Sequence, residues 1–175
     1  MKLFFALLPP PAVAKALAEL ARSAASQFGG VATRQESIHL TLAFLGEVDE
    51  ERLPVLIEAA QPVSAASFAL MIEVLAYWRH NHLLWAGEAA PSVALARLVE
   101  DLQAALSAAD FVVDGLSRAF TPHVTLIRKL PEEHVPLVLP AMDAVSWPCS
   151  HFALVCSVGS NSGPVYQTLA DFPLT

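Results

Sequence analysis

Ile38-His39-Leu40-Thr41-Leu42 and, in the second half of the chain, Pro122-His123-Val124-Thr125-Leu126 are two copies of one short pattern. With six His and six Thr in 175 residues, chance gives roughly 0.2 His-x-Thr occurrences, so two of them mark a duplicated site. Alternate residues of a β-strand share a face. In each copy the His and Thr therefore project to one side, while Leu40 and Leu42, or Val124 and Leu126, project to the other. Each copy predicts a strand with one apolar face for a core and one face displaying an imidazole beside a hydroxyl.

Around these anchors the chain reads as a mixture of strands and helices. Residues 2–8 form an apolar strand, and Pro9-Pro10-Pro11 opens a helix with Val13, Leu17, Leu20 and Ala21 at helical spacing, closed by Gly29-Gly30. Strands are predicted over 37–45, 67–76, 82–86, 122–128, 151–158 and 165–172, the last two joined by a turn at Gly159 to Gly163. Helices are predicted over Pro54 to Ala60 and Ser92 to Ala108. Segment 131–146 is broken by proline and left ambiguous. No linker or low-complexity stretch divides the chain, which predicts one compact domain, α+β or α/β, with sheet at the centre.

Composition narrows the function. Hydrophobic residues make up 55% and charged residues 15%, which places the chain far from disorder. The net charge of −7 gives a field that repels polyanions, so extended contact with long nucleic acid is not expected. Cys149 and Cys156 stand at an odd spacing, which sends them to opposite faces of one strand and argues against a disulfide. Reduced thiols fit a cytoplasmic protein. Lys2 and the run Leu3 to Leu8 imitate a secretory signal, but six apolar residues before the prolines are short for one and serve as a first core strand. No segment offers about eighteen uninterrupted apolar residues, so no membrane span is expected.

Two strands from two halves of a domain, facing each other across a groove, place two imidazoles on opposite sides of one phosphate. In-line displacement at a phosphodiester needs a base to activate water and an acid to protonate the leaving oxygen. Histidine does both near neutral pH, because its ordinary pKa is about 6.5. Thr41 and Thr125 supply hydrogen bonds to the non-bridging oxygens.

The sequence resembles the 2H phosphoesterases, specifically the RNA 2′,3′-cyclic phosphodiesterases also called 2′-5′ RNA ligases. The resemblance is carried by Leu3-Phe4-Phe5-Ala6-Leu7, His39-Leu40-Thr41-Leu42-Ala43-Phe44-Leu45-Gly46, Phe120-Thr121-Pro122-His123-Val124-Thr125-Leu126 and Val165-Tyr166, nearly the whole chain. It implies an α+β fold over residues 1–175, with two pseudo-symmetric lobes, each an antiparallel sheet backed by helices, around a central cleft. It further implies His39 as proton donor, His123 as proton acceptor, a 2′-phosphomonoester product, and neither metal nor other cofactor. Relatives carry a phosphate-binding Arg shortly after the second motif, and Arg128 stands at that position. Strict alternation turns Arg128 away from His123, so a bulge or the end of the strand must redirect it. Phe44 and Tyr166 are candidates for base stacking. The segment Val31 to Ser37 departs from the many relatives that have a Trp and an Asn there.

The expected partner is a short RNA or nucleotide ending in a 2′,3′-cyclic phosphate, acted on by a monomer. Arg34, Arg79, Arg118, Arg128 and Lys129 are the cations available to hold it. The competing readings are a non-catalytic RNA-end binding module, a 2H hydrolase of another small cyclic phosphate or of 2′-5′ oligonucleotides, and a metal-dependent hydrolase that uses the histidines as ligands. His80 and His82 share a strand face, yet no Cys or carboxylate nearby completes a ligand set. They read as loop or strand-end residues, and His134 and His151 as structural or exposed ones.

Overall fold

A computed structural model of the chain describes residues 1–116, 119–159 and 164–175. Among them ten strands and three α-helices follow in the order β1 Lys2–Leu7, α1 Pro11–Phe28, β2 Val31–Ala32, β3 Leu40–Glu47, α2 Leu53–Ala60, β4 Phe68–Ile72, β5 Val74–Trp78, β6 Leu83–Gly87, α3 Val93–Ala108, β7 Val124–Arg128, β8 Val145–Cys149, β9 His151–Val158 and β10 Val165–Pro173. The main sheet runs β10-β9-β1-β3-β7-β6-β5, with β2 on the end of β7, and β4 pairs with β8 in a separate ribbon. All pairings are antiparallel.

The two halves of the main sheet are built alike. In one, β1, α1 and β3 form a strand-helix-strand unit with β9 and β10 added outside β1; in the other, β6, α3 and β7 do the same with β5 outside β6. The two motif strands meet at the middle, where β3 and β7 share one pairing, Leu40 with Val124. The helices cross over: α1 packs on β7 and β2, and α3 packs on β3 and α2. Alternate positions drive this docking, since α1 buries Val13, Leu17, Ala21 and Ala24, and α3 buries Leu95, Leu98, Val99, Leu102 and Leu106.

Three expectations change. The stretch 67–76 is two strands, not one: β4 leaves for the ribbon with β8 and β5 joins the main sheet, with Glu73 between them donating its N–H to the Gly87 carbonyl at 2.9 Å. β8 begins at the end of the ambiguous segment and runs beyond it to Cys149, and its Pro148 is tolerated because the two-stranded ribbon leaves it exposed on an edge. The motif strands start later than predicted, at Leu40 and Val124, so each histidine stands just before its strand. The turn expected at Gly159 to Gly163 lies largely outside the described residues.

Candidate active site

One backbone pairing places the four motif side chains together. In an antiparallel pair, the residue before Leu40 lies opposite the residue after Val124, and the converse holds. This register sets His39 across from Thr125 and His123 across from Thr41, all on the face that Leu40 and Val124 do not use. Leu40, Leu42, Val124 and Leu126 are buried, at 2% exposure or less. On the other face His39, Thr41, His123 and Thr125 line one cleft of about 370 Å³.

Arg128 also lines this cleft, as do Phe44 and Tyr166. The β6–β7 register skips Leu126, so that Trp85 faces Thr125 and Leu84 faces Ile127. The extra residue shifts the phase of the strand by one: Leu126 and Ile127 are both buried, and Arg128 swings to the cleft. β3 does the same at the matching position, where the β1 register skips Leu42, Leu42 and Ala43 are both buried, and Phe44 turns to the cleft. Each motif strand thus presents its His, the residue two on and the residue five on. One strand ends this series with an aromatic ring and the other with a guanidinium.

The imidazoles are held alike. His39 Nδ1 lies 2.8 Å from the Ser37 carbonyl and His123 Nδ1 lies 2.9 Å from the Thr121 carbonyl. A carbonyl only accepts, so Nδ1 carries the hydrogen in both, and the neutral ring keeps an unprotonated Nε2. Aromatic rings pack each imidazole: Phe4 and Tyr166 at 5.0 Å from His39, Trp78 at 4.5 Å and Trp85 at 6.1 Å from His123. Burial pushes His39 down from 6.5 to about 4, opposed by the Ser37 hydrogen bond and assisted by the positive charge of Arg128 and then of His123. Burial also lowers His123, with the Thr121 bond opposing and Arg128 assisting. Both rings are neutral at pH 7 in the free cleft.

Lys2, Phe4 and Ser157 line the cleft as well and were missed in the sequence. Lys2 and Phe4 alternate along β1, so period 2 in the apolar opening contained the signal; Ser157 faces Lys2 and Tyr166 only through pairing with β1 and β10. Trp78 and Trp85 reach His123 from β5 and β6, which no local pattern reveals. Among the described residues no Asp or Glu lines the cleft, and no group of three or more His, Cys, Asp or Glu stands close enough to hold a metal.

The remaining cations divide. Arg34 stands near the cleft beside Pro164, whereas Arg79 is engaged by Glu132 at 3.0 Å. Lys129 is exposed at a positive φ of 55°, and Arg118 lies outside the described residues. His80 sits in a short turn after β5 and His82 follows it at a φ of 54°, in a loop as expected. Cys149 and Cys156 are free and buried, and burial raises the Cys149 thiol to about 12, which keeps it protonated and inert.

The model of the family described as LigT like phosphoesterase matches residues 7–85. An RNA 2′,3′-cyclic phosphodiesterase of Thermus thermophilus is 33% identical over 183 residues, spanning 99% of this chain and 90% of the relative. The chain belongs to the LigT-like phosphoesterase family. Within that family an RNA 2′,3′-cyclic phosphodiesterase of Escherichia coli is 28% identical over 174 residues, covering 99% of this chain and 97% of the relative. The crystal structure of E. coli LigT complexed with 3′-AMP matches with a TM-score of 0.87 at 25% identity, over 99% of this chain and 98% of that one. The expected α+β architecture of two lobes is the fold of these relatives.

Proposed function

We propose that this chain hydrolyses RNA 2′,3′-cyclic phosphodiester ends to 2′-phosphomonoesters by acid-base catalysis between His39 and His123. The observation that carries the reading is the pairing of Leu40 with Val124, which presents two imidazoles, each fixed through Nδ1, to one cleft that also holds Thr41, Thr125 and Arg128. His123 Nε2 accepts a proton from water as its oxygen bonds to phosphorus. The bond from phosphorus to the 3′ oxygen breaks, and His39 donates the proton that this oxygen takes. The local geometry is symmetrical, so the order of donor and acceptor follows the family resemblance.

A donor must be charged, and His39 is neutral in the free cleft at pH 7. The bound phosphate supplies the missing stabilisation: an anion close to the imidazole favours its protonated form, with no carboxylate among the described lining residues to compete for it. Thr41 and Thr125 donate to the non-bridging oxygens, Arg128 balances the charge that develops on them, and Phe44 and Tyr166 offer faces for a base. This chemistry uses no metal or cofactor. Its reversal makes a 2′-5′ linkage.

The functional unit in this reading is residues 1–175, one bilobal domain acting as a monomer in the cytoplasm. Support comes from the crossed helices, which tie the halves together, and from the two free cysteines. Among the described residues no helix is long and apolar enough to cross a membrane. The net charge of −7 favours short RNA ends over long duplexes.

Incubation with adenosine 2′,3′-cyclic phosphate and separation of the products tests the proposal. The expected product is the 2′-monophosphate, with turnover lowered by about 10²-fold or more in His39→Ala and in His123→Ala. Tight binding without product, or near-native turnover in either variant, refutes it.

A further inference from the structure

The cleft continues past Arg128, Pro164 and Tyr166, which also line a smaller recess of about 110 Å³ walled by Thr33, Arg34 and Ser37. Thr33 is only 8% exposed, its N–H donates to the Leu126 carbonyl at 2.8 Å, and its hydroxyl oxygen has no hydrogen-bond partner among the described residues. Buried hydroxyls are normally satisfied; this oxygen is closed to solvent, so an anion in the recess gains its hydrogen bond once the Thr33 side chain turns toward the space. Arg34 stands at the same wall, donating to the Pro164 carbonyl at 3.4 Å and paired with Glu36 at 3.6 Å. That ion pair is solvent-exposed and holds the guanidinium only weakly. Glu36 does not line the recess, nor does any other carboxylate among the described residues.

Two guanidinium groups, a partnerless buried hydroxyl and a second hydroxyl around a small space are a donor set for an anion. We propose that the recess is a second phosphate subsite, which holds the phosphodiester joining the terminal cyclic nucleotide to the rest of an RNA strand. The inference rests on the phosphodiesterase reading above and deepens it: the substrate is an RNA end carrying at least one further phosphate. Arg128 lies between the two subsites and serves both. The recess is less than a third of the main cleft in volume, which suits a compact charged group and not another nucleoside.

Three substrates separate the possibilities: adenosine 2′,3′-cyclic phosphate, the same compound with a 5′-phosphate, and the dinucleotide ApA ending in a cyclic phosphate. The protein is expected to favour both compounds that carry the additional phosphate, by about tenfold or more in kcat/KM. Arg34→Gln should bring that ratio close to one, and Thr33→Val, which keeps the volume and removes the hydroxyl, should lower it part of the way. An equal kcat/KM for all three substrates overturns the subsite. So does a preference for the dinucleotide alone, which reports contact with a second nucleoside, or a ratio that Arg34→Gln leaves intact. If none of the three turns over, the phosphodiesterase reading fails by itself, and calorimetric affinities for the same compounds in wild type and Arg34→Gln decide the subsite separately.

Discussion

His39 and His123 are tied by the same bond, Nδ1 to the carbonyl two residues earlier, at 2.8 and 2.9 Å. That bond fixes both the tautomer and the direction of each ring, and it follows from local backbone geometry, so two distant segments arrive at equivalent side-chain placements independently. The threonines two residues on complete each half of the site. In the proposed mechanism, removing one hydroxyl by Thr41→Ala or Thr125→Ala deletes one hydrogen bond to a charged phosphate, roughly 1.5 to 3 kcal/mol. The expected result is a fall in kcat/KM of about tenfold or more for each; a change under threefold contradicts the phosphate cradle. These four residues were legible in the sequence because a duplicated pattern with period 2 states both chemistry and direction. Lys2 and Phe4 obeyed the same alternation but had no second copy to mark them. Trp78 and Trp85 were not legible, since their contact with His123 depends on how β5 and β6 pair.

The bulges at Leu42 and Leu126 decide which side chains join the site. Alternation along a regular strand sends both Phe44 and Arg128 away from the histidines, and each is returned by one extra residue opposite a neighbouring strand. Their direction was unreadable from residue types alone, because a bulge belongs to the pairing of two strands. For the same reason the two-residue β2 and the proline-bearing β8 escaped prediction, and one apolar run concealed the divergence of β4 from β5. Gly30, with a φ of +78°, lies against this part of β7: a Cβ there would come within 2.5 Å of Ile127 Cγ2 and 2.9 Å of the Arg128 carbonyl. Gly115 has the same backbone strain, φ +79°, with nothing within 4 Å. Gly115→Ala should therefore cost about 1 kcal/mol, and Gly30→Ala about 2 to 4 kcal/mol with a raised KM as the strand carrying Arg128 shifts. Denaturant titration and steady-state kinetics on the two variants check this; equal losses with an unchanged KM contradict the assigned role of the Gly30 contact.

The whole chain is acidic, yet the cleft between its halves is lined by imidazoles, hydroxyls, a lysine and an arginine, with no carboxylate among the described lining residues. The helices α1 and α3, each backing the other half's motif strand, keep the histidines beside a common core, and that proximity desolvates them. Stability inherits a pH dependence of definite sign. Below pH 6.5 the unfolded chain takes up a proton at His39 that the folded chain refuses until about pH 4, so the folded state loses stability as pH falls through this window, by an amount on the order of 3 kcal/mol. His123 acts in the same direction. The unfolding free energy of His39→Gln should fall less than that of wild type between pH 7 and 4.5, and parallel curves would contradict the burial of that imidazole as their cause. Catalysis by the same pair is tested most directly by the pH dependence of kcat/KM on adenosine 2′,3′-cyclic phosphate in excess EDTA. The two-histidine mechanism predicts a bell-shaped profile that chelation leaves unchanged; loss of activity on chelation, or a profile with no dependence on either imidazole, would contradict it.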